Sequence, residues 1–69
     1  MLQVTAEQVA AWADAEIVEV LQNRYGDGLI YIRRGQRSTY YAAIRMGLIS
    51  HEGVLTARGR TFLAEHNVL

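Results

Sequence analysis

Apolar residues recur at Val9, Trp12, Ala13, Ile17, Val20 and Leu21, at intervals of three and four, with Glu7, Asp14, Glu19 and Gln22 on other faces. That spacing gathers the apolar set into one stripe of a helix. Thr5 stands in N-cap position with Gln8 three residues on, a capping-box arrangement, and Gly26 supplies a stop. The pattern predicts one helix over about residues 6–24. Asp14 is a capping residue type in its own right, so a division into two helices there is the competing reading. Trp12 belongs to the apolar stripe and reads as core, not as a platform for a ligand.

Asp27-Gly28 is turn chemistry, and Leu29-Ile30-Tyr31-Ile32 is a β-branched and aromatic run that ends in Arg33-Arg34-Gly35. It predicts a strand buried on at least one face. Ser38 then caps a short helix that continues to Met46, with Gly47 placed as the left-handed residue after it and Leu48 as the apolar residue beyond. Tyr40, Ala43, Ile44 and Gly47 form one stripe of this helix; Ser38, Tyr41, Ala42 and Arg45 form the opposite one, with Arg37 just ahead of the cap. Leu48-Ile49-Ser50 and Val54-Leu55 flank His51-Glu52-Gly53 as a tight hairpin. Thr56 caps the last helix, in which Phe62, Leu63 and His66 share one side. Gly59 costs that helix stability relative to Ala, which predicts close packing of a neighbouring element. The expected fold is α+β, with three helices and a small three-stranded antiparallel sheet, the strand at 29–33 lying beside the hairpin at 48–55.

With 69 residues there is room for one core and a small stability margin. Without Cys, neither disulfides nor a zinc-thiolate site can staple it. A homodimer, or folding against a protein partner, is an available way to widen the margin. No basic region leads into an apolar run at the start, and no apolar stretch is long enough to span a bilayer. A cytoplasmic protein with no membrane partner is therefore expected.

Net charge is zero, but it is unevenly distributed. Residues 1–27 carry five carboxylates against Arg24 alone, a balance of −4, and residues 28–69 carry six arginines against Glu52 and Glu65, a balance of +4. Every basic residue is Arg, whose planar fork of donors suits phosphate, carboxylate and guanine edges. A compositional bias toward Arg across the source genome explains the choice of Arg over Lys equally well.

Catalytic chemistry finds few residues. Ser38 and Ser50 lie at a helix cap and a strand end without an obvious base. His51 and His66 lack metal-site spacing even with Glu52 or Glu65 counted in, and read as surface histidines. Gly26 and Gly28 precede a strand rather than a helix, so they make no phosphate loop. No enzyme, cofactor or metal is expected.

The segment from Tyr40 through Gly47-Leu48-Ile49, followed by Leu55-Thr56, Gly59 and Phe62-Leu63, resembles winged-helix DNA-binding domains. In many bacterial and phage regulators of that kind a recognition helix ends in Gly-Leu-Ile, a hairpin wing follows, and Leu-Thr-x-x-Gly-x-x-Phe-Leu opens the next helix. The resemblance covers residues 38–66 and implies that helix 38–46 faces duplex DNA. By that likeness Ser38, Thr39, Tyr41 and Arg45 lie nearest base edges, and Arg33, Arg34, Arg37 and Arg58 nearest phosphates. Residues 25–35, Tyr-Gly-Asp-Gly-Leu-Ile-Tyr-Ile-Arg-Arg-Gly, are similar to the strand of phage middle-operon activators of the Mor type, which helps form a dimer there; Arg33 stands where that family has Pro. The expected function is a DNA-binding transcriptional regulator of phage or bacterial origin, acting as a dimer. The alternative is a small protein-interaction module, an inhibitor or assembly factor, that uses the acidic first helix or the arginine-rich face. In that reading Tyr40, Ile44, Leu48, Leu55, Phe62 and Leu63 are core and the arginines a solvated face.

Overall fold

Three helices are present in a computed structural model that describes residues 6–68, with side chains described from Asp14 onward: α1 (Ala6–Gln22), α2 (Arg37–Arg45) and α3 (Ala57–Glu65). Helices α2 and α3 each pack on α1. The buried apolar side chains come from every part of the chain: Ile17, Val20 and Leu21 of α1, Ile30, Ala43 of α2, Leu48, Ile49, Leu55, and Leu63 of α3. Tyr40, Ile44 and Phe62 pack against this cluster. Burying each large aliphatic member stabilises the fold by roughly 1.5–3 kcal/mol. No described buried side-chain nitrogen or oxygen lacks a hydrogen-bond partner.

Helix α1 runs unbroken through Asp14 and stops at Gln22, two residues before the predicted end. The Thr5 cap and the packing of Val9, Trp12 and Ala13 lie outside the described residues. Asn23 ends the helix by turning inward: it is buried, and its Nδ2 donates to Gln36 Oε1 at 2.8 Å.

The expected three-stranded sheet, and with it the α+β class and the winged-helix-like architecture, is not found. Among the described residues there is no strand, only three isolated antiparallel bridges, Arg24 with Ile30, Leu29 with Val54, and Ile49 with Leu55. The segments meet near where a sheet would form, but no pairing persists. Neighbouring bridge residues change partner, Ile30 joining Arg24 while Leu29 joins Val54. Just beyond, the Tyr31 amide donates to the Asn23 carbonyl and the chain enters the Arg33–Gln36 turn. On the other side, the Val54 amide donates to the Ser50 hydroxyl, and Leu55 runs directly into the Thr56 cap. A ladder needs several consecutive extended residues on both sides, and the turns consume them.

The termini of α2 and α3 are joined by local chemistry. After α2, Gly47 takes φ +78°, its amide bonds the Ile44 carbonyl, and the Leu48 amide reaches the Ala43 carbonyl, which is a Schellman closure. Thr56 Oγ1 accepts from the Gly59 amide at 3.0 Å and donates to the Gly47 carbonyl at 2.7 Å, so one hydroxyl caps the start of α3 and ties it to the end of α2. Gly59 allows this approach, since a Cβ there would overlap the Leu48 carbonyl oxygen and Leu55 Cδ1. Helix α3 closes in the same way as α2, with Asn67 at φ 57° and the Val68 amide on the Leu63 carbonyl.

Candidate nucleic-acid interface

The N-cap of helix α2 stands two residues earlier than its sequence suggests. Arg37 is its first residue and the N-cap is Gln36, whose side chain makes no capping bond; Ser38 lies inside the first turn and is exposed. The cap position is set by tertiary contacts. Gln36 Oε1 accepts from both Asn23 Nδ2 and the Arg33 amide, each at 2.8 Å, and the Gln36 amide returns to the Arg33 carbonyl. Together these bonds hold the Arg33–Gln36 turn against the end of α1.

Tyr40, Ala43 and Ile44 of α2 point to the core, and Thr39 and Ala42 are partly covered beside α1. Arg37, Ser38, Tyr41 and Arg45 occupy the outward arc, all exposed, with Tyr41 53 % accessible. Arg37 and Arg45 stand eight residues apart, about 12 Å along the helix axis, comparable to the roughly 12 Å width of a DNA major groove. Arg58 of α3 extends the line. Its Cδ passes 3.5 Å, and its Nη1 3.7 Å, from where a Cβ on Gly47 would stand, which puts its guanidinium at the C-terminal end of α2. A cation is favoured there by the helix dipole.

Of the eight residues singled out from sequence, Arg37, Ser38, Tyr41 and Arg45 share the outer face, and Arg58 joins it at one end. Thr39 does not. It sits toward α1, where its hydroxyl donates to Glu16 Oε2 at 3.4 Å. Arg33 and Arg34 are exposed at the other end of α2, and they line a cleft of about 370 Å³ whose opposite wall carries Glu16 and Glu19. Among the described residues no arginine lies within 4.0 Å of a carboxylate, the one close pair of opposite sign being His66 with Asp14. Sequence reasoning missed the carboxylates beside Arg33 and Arg34. The periodicity of α1 marks Glu16 and Glu19 as outside the apolar stripe, but their neighbours across the cleft follow only from how α1 and the turn pack.

Neither histidine belongs to α2. His51 is exposed in the Ser50–Gly53 turn. His66 links α3 to α1, with Nδ1 2.8 Å from the Phe62 carbonyl and Nε2 3.5 Å from Asp14 Oδ2, and its ring stacks on Phe62. A carbonyl only accepts, so Nδ1 carries a proton, and a proton on Nε2 as well best satisfies the carboxylate. The Phe62 carbonyl chiefly, and Asp14 after it, raise the His66 pKa, with partial burial opposing them. No three His, Asp or Glu side chains among the described residues gather into a metal-binding group, and no described helix is long and apolar enough to cross a membrane. No family model matches the chain, and no curated protein or solved structure matches it.

Proposed function

We propose that this chain binds duplex DNA through the outward face of α2 and the two ends of that helix, as a cytoplasmic regulator of phage or bacterial origin and without catalytic chemistry. The observation that carries the reading is the row Arg37, Tyr41, Arg45 and Arg58. It sets exposed guanidiniums at both ends of a helix and an aromatic ring between the first two, with no ion-pair partner among the described residues. Guanidiniums held out of internal ion pairs are available to phosphate oxygens, and their spacing lets Arg37 and Arg45 reach both phosphate rails of one groove. Ser38 and Tyr41, on the same arc, are the side chains nearest base edges in that pose. The regulator role rests on the resemblance of residues 38–66 to bacterial and phage regulators, and action as a dimer on the exposed Tyr25, Leu29 and Ile32, which offer apolar surface to a second copy.

Titrating a labelled duplex at two salt concentrations tests the reading. Three phosphate contacts, from Arg37, Arg45 and Arg58, imply a log–log salt slope near −2.7, or about a 40-fold loss of affinity for a fourfold rise in salt. Replacing Arg37 and Arg45 with Ala should flatten the slope by about 1.8 and leave the helical circular dichroism unchanged. Absence of binding at low salt sinks the reading. A protein-interaction role is favoured by the exposed Glu16 and Glu19 of α1, and predicts that reversing those two charges abolishes capture of a protein partner while the arginine variants do not.

A further inference from the structure

The cleft between α1 and the Arg33–Gln36 turn places two carboxylates opposite two guanidiniums without pairing them. The backbone of both walls is anchored, and the four charged side chains are exposed. Glu16 and Glu19 are three residues apart, hence neighbours on one face of α1. Glu16 is tethered over the start of α2 by the Thr39 hydroxyl at 3.4 Å. The backbone of Arg33 is fixed by its amide on Gln36 Oε1, itself bonded to the buried Asn23. The cleft is thus a place where an incoming phosphate would meet two cations and, across the gap, two anions.

We propose that Glu16 and Glu19 act as an intramolecular competitor for phosphate at Arg33 and Arg34, confining polyanion contact to Arg37, Arg45 and Arg58. The inference rests on the nucleic-acid reading for its ligand class, but the competition itself is a property of the cleft. In the wild-type protein the carboxylates supply the counter-charge that a phosphate would otherwise provide, and they repel any phosphate entering beside them. Removing their charge converts Arg33 and Arg34 from a neutralised edge into an extension of the α2 surface. The acidic first half of the chain then has a defined electrostatic role, setting where along α2 a nucleic-acid backbone can lie.

The test uses the double variant Glu16→Gln, Glu19→Gln, which keeps side-chain size and leaves an acceptor for Thr39. Its control, Asp27→Asn with Glu52→Gln, removes the same charge outside the cleft. Inorganic pyrophosphate is titrated into each, followed by the backbone amide shifts of Arg33 and Arg34. The cleft variant should show larger shifts at those two residues and an affinity higher by on the order of tenfold at low salt, an advantage that shrinks as salt screens it. The control should behave as wild type. Equal response of wild type and cleft variant overturns the proposal, and so does equal gain by both double variants, which would be a net-charge effect. On duplex DNA the cleft variant should bind more tightly with a salt slope steeper by up to about 1.8. Failure of every protein to bind duplex refutes the DNA reading, while the pyrophosphate titration still decides the competition.

Discussion

Replacing Gly59 with Ala sets two effects of opposite sign against each other at one position. Helix propensity alone favours the change, since Gly in a helix interior is less favourable than Ala by roughly 0.5–1 kcal/mol. The structure opposes it. A Cβ on Gly59 would overlap the Leu48 carbonyl oxygen and come within 2.5 Å of Leu55 Cδ1. Leu55 is a buried side chain with little room to retreat, and the Leu48 carbonyl is backbone that accepts the Thr56 amide at 3.1 Å. Moving it weakens a hydrogen bond worth about 1 kcal/mol on top of an overpacking cost of about 1–3 kcal/mol. The costs exceed the propensity gain, for a net destabilisation of about 1–3 kcal/mol, and at about 4–8 °C per kcal/mol the Tm should fall by roughly 4–24 °C. Thermal unfolding followed by circular dichroism measures this, with Gly26→Ala as the matched control. Gly26 has nothing within 4 Å of an added Cβ and no positive φ, so the control should leave Tm unchanged or raise it slightly. A Gly59→Ala protein at least as stable as wild type would refute the close approach of α3 to the chain leaving α2.

Three further outcomes follow from particular contacts. Gly47→Ala should cost about 1–2 kcal/mol in urea unfolding through its left-handed backbone alone, because its nearest neighbours, atoms of the Arg58 side chain, lie at ordinary contact distance; Gly47→Asn should cost less. Gln36→Ala should destabilise by about 1–3 kcal/mol because it orphans the buried Asn23 amide, whereas Gln36→Glu, which keeps the acceptor and adds a negative charge at the start of α2, should be tolerated in the same assay. His66 has a folded-state pKa raised above its ordinary value, so its contribution is fully present below the unfolded pKa and is lost as pH rises through the folded one. Unfolding free energy should therefore decline as pH rises through neutrality; Asp14→Asn should reduce that decline and lower the pKa of His66 read by NMR titration, and an unchanged His66 pKa would refute the Asp14 contact.

Elements governed by neighbours along the chain are legible in the amino-acid order alone. The apolar spacing of α1, the Thr56 cap and the left-handed Gly47 with Leu48 behind it follow from residues acting within about one turn of themselves, whereas a glycine inside α3 signals a close neighbour at Gly59 without saying that the neighbour is Leu48, eleven residues back. Most of the division of α2 is legible too: Tyr40, Ala43 and Ile44 are the inner stripe and Ser38, Tyr41 and Arg45 the outer one, but Ala42, expected with the outer set, is partly covered beside α1, because periodicity sorts residues around a helix without saying how far a neighbouring helix reaches.

Partners distant in sequence are settled by packing. The run Leu29–Ile32 has the side chains of a strand, yet strand formation depends on a partner that stays extended alongside it, and here the turns end each pairing after a single bridge. Ser38 has the chemistry of a cap, but Gln36 holds that position because Asn23 and Arg33 both donate to its side chain, across thirteen and three residues of chain. Charge behaves in the same way. Composition along the chain separates an acidic half from a basic one, while the packing of α1 against the turn before α2 decides which arginines face carboxylates and which face open solvent. Coulomb interactions depend on distance in space, and sequence order does not carry that distance.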